Sequence, residues 1–195
     1  SSSAASDVYK RQILSCIKRR KRKIERMEEK RGKEEMRKMR LQKREITDSK
    51  ELREILDECK VVRIGTTDSE GMFVVPVNFG YEFQEDEMRL TLYIHGSKEG
   101  RKAEAFASCP QVAVEMDCGH RLIRGADGCS YSYAYSSIMG NGTICQVTDE
   151  KEKLHGLSCL MDHLGGGKAP ICPESLGNVA VYRIDVHTFT GKHNI

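Results

Sequence analysis

Apolar and polar residues follow one another with a period that changes several times after residue 46, and each change predicts an element. The segment TDSKELREILDEC (47–59) has apolar residues at helical spacing, and Asp48 followed by Glu51 is typical of a capping box. The next segments either alternate between apolar and polar residues or are continuously apolar, as strands are. One segment among them has helical spacing, and Ser97 can cap that helix. The predicted strands are VVRIGTT (61–67), MFVVPVNFGYEF (72–83), RLTLYIH (89–95) and QVAVEM (111–116), and the predicted helix is SKEGRKAEAFA (97–107).

The second half of the chain continues the same mixture. The pattern predicts a loop over 117–130, and over 131–147 either one bent strand or two strands joined at Gly140-Asn141-Gly142. It then predicts a helix over 149–164, a loop over 165–178 and a final strand over 179–189. Pro76 inside the second strand indicates an edge strand or a bulge. Six strands with short turns and interspersed helices indicate an α+β chain, and a small antiparallel barrel would remove the exposed edges.

Charge is distributed unevenly along the 195 residues. Residues 1–50 carry eighteen Lys and Arg against eight Asp and Glu, whereas 51–195 carry fourteen against twenty-one. The acidic part gives no reason to expect nucleic-acid binding. The basic run KRRKRK (18–23) could attract phosphates, but no aromatic residue is interleaved with it to stack on bases. The basic run is therefore expected to be a solvated tail, with a nucleic-acid-binding arm as the alternative. Nucleic acid is not the expected partner.

The N-terminal residues have an unusual composition for a domain. Residues 2–12, SSAASDVYKRQ, resemble the in-frame translation of a transposase sequencing adapter. We therefore predict that 1–35 is a basic segment that is non-native or disordered, and that the folded domain spans 36–195.

Two features bear on the compartment. No apolar run approaches the ~20 residues that span a bilayer, and ILSCI (13–17) is too short for a secretory signal. The eight cysteines contain no CxxC pair and are typical of a reducing environment. A cytoplasmic protein without a membrane partner is expected.

The segment YIHGSKEGRK (93–102) carries the most chemical information. A strand ends at His95-Gly96-Ser97, and a helix with Arg101 and Lys102 in its first turns follows. Free N–H groups at a helix start, a serine hydroxyl and two cations are suited to binding a phosphate. A capped surface helix with solvated cations explains the same residues.

Several segments together resemble the flavin mononucleotide-binding split-barrel superfamily of pyridoxamine 5'-phosphate oxidase-like proteins, and within it the nitroimidazole-resistance (Nim-type) branch. The resemblance is carried by MRKMRLQKREI (36–46), VVRIGTTDSEGMFVVPVNFGY (61–81), LYIHGSKEGRK (92–102), ASCPQVAVEM (107–116), YSSIMGNGTI (135–144) and RIDVHTFTGK (183–192). It implies a six-stranded antiparallel Greek-key split β-barrel with flanking helices. It also implies a homodimer with flavin mononucleotide at the subunit interface.

The resemblance further implies roles for particular residues. Ser97, Arg101 and Lys102 would hold the phosphate, with Gly96 beside them. His95 would lie near the reactive edge of the flavin, as a catalytic residue. The ribityl chain and the isoalloxazine ring would be lined by Pro76, Val77, Asn78, Phe79, Tyr135, Ser136 and Ser137.

The C-terminus departs from the pattern of true pyridoxamine 5'-phosphate oxidases. Those enzymes carry an Arg-x-His for the substrate phosphate, whereas this chain ends FTGKHNI. The resemblance therefore favours a flavin mononucleotide-dependent oxidoreductase that passes electrons from a reduced donor, such as a reduced nicotinamide, to a small acceptor, with a nitroaromatic compound as one candidate. A flavin-binding sensor or storage protein without turnover is the alternative.

Several cysteines and histidines are candidate metal ligands. Cys118, His120 and Cys129 lie close in sequence, and Cys159 and His163 are four residues apart on a predicted helix. Zinc sites need three or four converging ligands, usually with tight paired spacing. Neither set meets that requirement, so no metal is expected.

Overall fold

The structure, a computed structural model, describes residues 39–167 and 176–195. The residues from Leu41 to Ile195 form one compact unit. The basic segment 1–35 lies outside the described residues, and the prediction about it stays a prediction.

Within the described residues the chain forms eight strands and three α-helices. The strands are β1 (Glu45–Ile46), β2 (Val62–Asp68), β3 (Gly71–Val77), β4 (Gly80–Gln84), β5 (Arg89–Gly96), β6 (Gln111–Ile123), β7 (Ser132–Gln146) and β8 (Ala180–Asn194). The helices are α1 (Ser49–Glu58), α2 (Arg101–Ser108) and α3 (Glu150–His163). None of these helices is long and apolar enough to cross a membrane.

All strand pairs are antiparallel, and seven strands follow the order β3-β2-β6-β7-β8-β5-β4, with β1 beside β8. The α+β split-barrel prediction is confirmed. The predicted number of six strands is wrong for two reasons. The segment 72–83 divides into β3 and β4, which lie at opposite edges of the sheet, and the short strand β1 was not foreseen. Pro76 lies in the edge strand β3, as predicted.

One apolar core fills the curved sheet, and α1 packs against it. Asp48 begins the helix as predicted, because its side chain accepts a hydrogen bond from the Lys50 backbone N–H. Leu52, Ile55 and Leu56 on the inner face of α1 are buried. Fully buried residues of the strands complete this core: Ile64, Leu90, Leu92, Ile94, Met116, Ile138, Ile144 and Ile184.

The longest strands, β6 and β7, are irregular at two places. β6 continues to Ile123, so the predicted loop over 117–130 begins too early, and its register shifts between Cys118 and Arg121 around Gly119, whose φ is +68°. β7 is a single strand whose pairing with β8 shifts at Asn141/Gly142, which confirms the bent-strand alternative. A Cβ at Gly142 would lie 2.6 Å from the Asp185 carbonyl oxygen, so the two strands need a glycine there.

Candidate functional site

The junction between β5 and α2 places five of the predicted site residues together. His95 and Gly96 end β5, and the helix begins at Arg101, four residues later than the predicted start at Ser97. Ser97 does not cap the helix; its hydroxyl accepts a hydrogen bond from the Glu99 backbone N–H at 3.2 Å. Gly100 is the N-cap, with a φ of +103° that favours glycine.

No side chain caps the start of α2, because its N-cap is Gly100. The first N–H groups of a helix have no partner within the helix, and they carry the positive end of its dipole. An anion placed here would therefore meet backbone donors as well as the nearby cation.

That cation is Lys102, whose ammonium group lies over Gly96. A Cβ built on Gly96 would be 2.7 Å from Lys102 Nζ, so the absence of a side chain there leaves the room that the ammonium group occupies. Within the described part of the chain, Lys102 forms no ion pair. Its charge is thus available to a ligand at the end of β5.

Arg101 is placed differently, because its guanidinium group is already engaged. Arg101 Nε donates to Asp68 Oδ2 at 2.6 Å and Nη2 donates to Oδ1 at 3.1 Å, while the group stacks on the Phe73 ring at 4.2 Å. The hydrogen bonds from Arg101 lower the pKa of Asp68. Arg101 therefore fastens α2 to the end of the β2–β3 hairpin, and sequence reasoning had not identified either partner.

The residues Pro76, Val77, Asn78 and Phe79 lie at the end of β3 and in the link to β4. The Asn78 side chain donates to the Lys60 carbonyl oxygen at 2.8 Å. Phe79 is fully buried, and its ring packs against that of His163 with centroids 4.7 Å apart. Phe79 therefore belongs to the core and exposes no surface to a ligand in the single subunit, whereas Pro76 is exposed.

The residues Tyr135, Ser136 and Ser137 lie on β7, where they pair with Asn194, His193 and Lys192 of β8. The Lys192 ammonium group lies 5.7 Å from the centre of the Tyr135 ring. Ser137 pairs on its other side with Asp117 of β6.

These residues and the β5–α2 junction lie at opposite ends of the sheet. Along β8, the partner of Ser137 is Lys192 and the partner of His95 is Val181, eleven residues away. At about 3.3 Å per residue this is about 35 Å of strand. The two groups therefore lie near opposite ends of β8 in one subunit.

A shallow cleft of about 240 Å³ lies on the outer face of the sheet. Gly65, Ala113 and Asn141 occupy one cross-strand row, and the two small residues form the floor of the cleft. Beside them, Met72 is 89% exposed and Val74 is 63% exposed on the edge strand β3. The cleft and these two exposed apolar side chains form a candidate contact surface.

The same outer face carries a charged cluster that the sequence did not point to. Arg63 Nη1 donates to Glu115 Oε2 at 2.9 Å and to Asp117 Oδ1 at 2.5 Å. Asp117 Oδ2 also lies 2.7 Å from His120 Nε2. Partial burial opposes ionisation of Asp117, but the hydrogen bonds and charges of Arg63 and His120 together outweigh it and lower the pKa of that carboxyl group.

Comparison with known proteins gives a consistent result. A candidate 5-nitroimidazole antibiotic resistance protein from Bacteroides thetaiotaomicron is 33% identical, with a TM-score of 0.66 over 76% of this chain and 86% of that chain. A flavocytochrome from Azotobacter vinelandii has the same fold at 20% identity, with a TM-score of 0.69 over 83% of this chain and 74% of that chain. A FAD and heme binding protein from Mycobacterium smegmatis also has it, at 18% identity and a TM-score of 0.66 over 76% of this chain and 72% of that chain. The search of curated proteins gave no match.

The sequence itself supports the same assignment. Residues 48–193 match the pyridoxamine 5'-phosphate oxidase family. This range includes all three helices and the strands β2 to β8, except for the last residue of β8. Together with the eight-stranded antiparallel sheet and the likeness to the Bacteroides protein, this match shows that the chain belongs to the pyridoxamine 5'-phosphate oxidase family, with a relative assigned to nitroimidazole resistance.

Proposed function

We propose that the protein is a flavin mononucleotide-dependent oxidoreductase, which passes electrons from a reduced nicotinamide to a small acceptor of the nitroaromatic class. Family membership supports an oxidase-type activity. Two solved structures of the same fold are described as a flavocytochrome and a FAD and heme binding protein, and the 33% identical relative is assigned to nitroimidazole resistance. The observation that carries the proposal for this chain is the β5–α2 junction.

The residues at this junction fit the phosphate of flavin mononucleotide. The start of α2 has no side-chain cap, and Lys102 Nζ occupies the space left by Gly96. The Ser97 hydroxyl, which already accepts from the Glu99 N–H, can also donate to a phosphate oxygen. Backbone donors, a hydroxyl and one ammonium group together form a site for a dianion.

A bound flavin would supply the redox chemistry, while the protein positions it and adjusts its surroundings. In this proposal Lys102, Ser97 and the start of α2 hold the phosphate. Arg101 acts indirectly, because its pair with Asp68 fixes the position of α2. His95 is exposed at the end of β5, where its imidazole can exchange a proton with a bound ligand.

The proposal includes a homodimer. Its support is the distance between the β5–α2 junction and the Tyr135–Ser137 segment, because a second subunit could bring its own copy of one group to the other. The exposed apolar residues Met72 and Val74 beside the cleft give such a subunit a surface to cover. Two-fold dimers are the commonest arrangement for covering a surface of this kind.

The first test is the visible absorption spectrum of the purified protein, with the flavin identified after release. The proposal expects flavin mononucleotide at one equivalent per subunit, bleached anaerobically by a reduced nicotinamide and restored by a nitroaromatic acceptor. A protein that is colourless and takes up no added flavin mononucleotide would refute it. A bound flavin that no donor reduces would indicate a sensor or storage protein instead.

The second test concerns His95 and the dimer. The variant His95→Ala should keep its flavin and lose turnover with the acceptor, because the proposal puts His95 at the ring edge and not at the phosphate. Light scattering should give the mass of a dimer, and Val74→Asp should shift the protein toward monomers that bind flavin more weakly. A wild-type monomer that retains flavin would contradict the dimeric site.

A further inference from the structure

Helix α3 and strand β4 bring together three metal-binding side chains, none of which is among the residues proposed to bind flavin. Glu82 is on β4, and His155 and Cys159 are one helical turn apart on α3. His155 Nε2 lies 2.9 Å from Glu82 Oε1 and 3.6 Å from Cys159 Sγ. The three ligand atoms all lie within 4.8 Å of one another.

Two glycines allow this approach. A Cβ at Gly80 would lie 2.3 Å from backbone atoms of Cys159 and Leu160, so the helix backbone sits directly on β4 two residues before Glu82. A Cβ at Gly156 would lie 2.6 Å from the Tyr93 ring, which also contacts the His155 ring edge-on with centroids 5.5 Å apart. The close contact of α3 with β4 and β5 therefore positions His155 and Cys159 beside Glu82.

The donor set indicates which ion it would bind. An imidazole nitrogen, a thiolate sulfur and a carboxylate oxygen are the ligands that Zn²⁺ takes, at about 2.0–2.3 Å in a tetrahedron. In such a tetrahedron, ligand atoms are separated by about 3.4–3.6 Å. The distance from Sγ to Nε2 already has this value, and the distance from Nε2 to the carboxylate oxygen would lengthen by about half an ångström. The carboxylate oxygen lies within 4.8 Å of Sγ and would also have to reach this separation.

From this geometry we propose that Glu82, His155 and Cys159 form a binding site for Zn²⁺ or a similar transition-metal ion. Three protein ligands leave a fourth position for water or another small ligand. The ion would join α3 to the edge strand β4. The sequence spacing of Cys159 and His163 did not indicate a metal site, and His163 is not part of this cluster, because its Nε2–H donates to the Cys59 carbonyl oxygen at 2.7 Å.

An ion pair between Glu82 and a protonated His155 explains the 2.9 Å contact without a metal, and it gives Cys159 no role. The experiment therefore depends on the thiol. Metal-stripped wild-type protein is titrated with Zn²⁺ in competition with a chromophoric chelator, and with Co²⁺ in a difference spectrum against the metal-free protein. The proposal expects one tight Zn²⁺ per chain, and a thiolate-to-cobalt charge-transfer band.

The variants Cys159→Ser and His155→Gln should weaken Zn²⁺ binding by at least about tenfold, since loss of even an outer-shell partner has that effect. The charge-transfer band should disappear in Cys159→Ser. The matched control is Cys129→Ser, which removes an exposed cysteine elsewhere and should keep both signals. Zn²⁺ should also raise the Tm of the wild type and of Cys129→Ser, but not of Cys159→Ser, because a ligand of the folded state stabilises it.

The site would be ruled out if the wild type bound no Zn²⁺ at micromolar concentration, or if Cys159→Ser bound it as tightly as the wild type. Both results are independent of flavin content, so they leave the proposed oxidoreductase activity untouched.

Discussion

Replacement of Lys102 by Ala tests the phosphate site through a single charge. The ammonium group of Lys102 lies over Gly96 beside the uncapped start of α2, and within the described residues it forms no ion pair. The substitution would therefore remove the proposed contact with the phosphate and leave the intramolecular contacts of the neighbouring residues unchanged. Alanine also has the highest helix propensity, so α2 should remain folded.

The expected loss follows from the strength of a charge-assisted hydrogen bond, which is about 1.5–3 kcal/mol. At about 1.4 kcal/mol per tenfold change, Lys102→Ala should weaken flavin mononucleotide binding by about ten- to a hundredfold. Riboflavin has no phosphate, so its affinity should change little. The difference should shrink at high salt, because Lys102 is only partly buried.

The adjacent variant Arg101→Ala is the matched control. It removes the same charge from the next residue of α2, but this guanidinium group is paired with Asp68. Its loss should weaken flavin mononucleotide binding by less than about fivefold. Affinities are measured by quenching of flavin fluorescence in flavin-free protein. The reasoning is refuted if Lys102→Ala binds flavin mononucleotide as the wild type does, or if riboflavin binding falls equally.

Three further substitutions test other parts of the structure. Gly96→Ala should displace the Lys102 ammonium group and weaken flavin mononucleotide binding by up to about tenfold, with an unchanged Tm. A fall in Tm would show instead that the substitution disturbs the backbone. Thr66→Val should raise the free energy of unfolding by about 1 kcal/mol in urea, because the buried Thr66 hydroxyl has no hydrogen-bond partner among the described residues, and the exposed Thr67→Val should not. Burial lowers the pKa of His163 below its usual 6.5, so the unfolded chain is protonated at this residue at a higher pH than the folded chain. The free energy of unfolding should therefore fall as the pH drops from 7 to 5, and His163→Gln should flatten that slope. An equal slope in the variant would show that His163 is not the group responsible.

Local signals predicted much of the fold. The start of α1 was predictable because Asp48 caps the residues that directly follow it in the sequence, and the buried face of this helix follows from its apolar spacing. The division of 72–83 into two strands was not predictable from the sequence pattern. Its apolar pattern continues past Asn78, and the break depends on β3 pairing with β2 while β4 pairs with β5.

The far part of β6 was missed for a related reason. Residues 119–122 are all exposed, so they lack the alternation by which a half-buried strand is recognised. From Arg121 onward the strand forms because these residues pair with β7, which the sequence pattern does not encode locally, whereas Gly119 and His120 lie in the register shift.

The candidate site was predictable where it is contiguous in sequence. The segment YIHGSKEGRK indicated a phosphate site from its residue types alone. The engagement of Arg101 was hidden, because its partner Asp68 is 33 residues away and lies at the end of another strand. The group formed by Glu82, His155 and Cys159 was not predictable for the same reason, since Glu82 is 73 residues from His155.

The most direct measurement of the central claim is the affinity of the flavin-free wild-type protein for flavin mononucleotide relative to riboflavin. If the β5–α2 junction binds the phosphate, flavin mononucleotide should bind at least about tenfold more tightly at low salt. Equal affinities, or no binding of either flavin, would contradict the account.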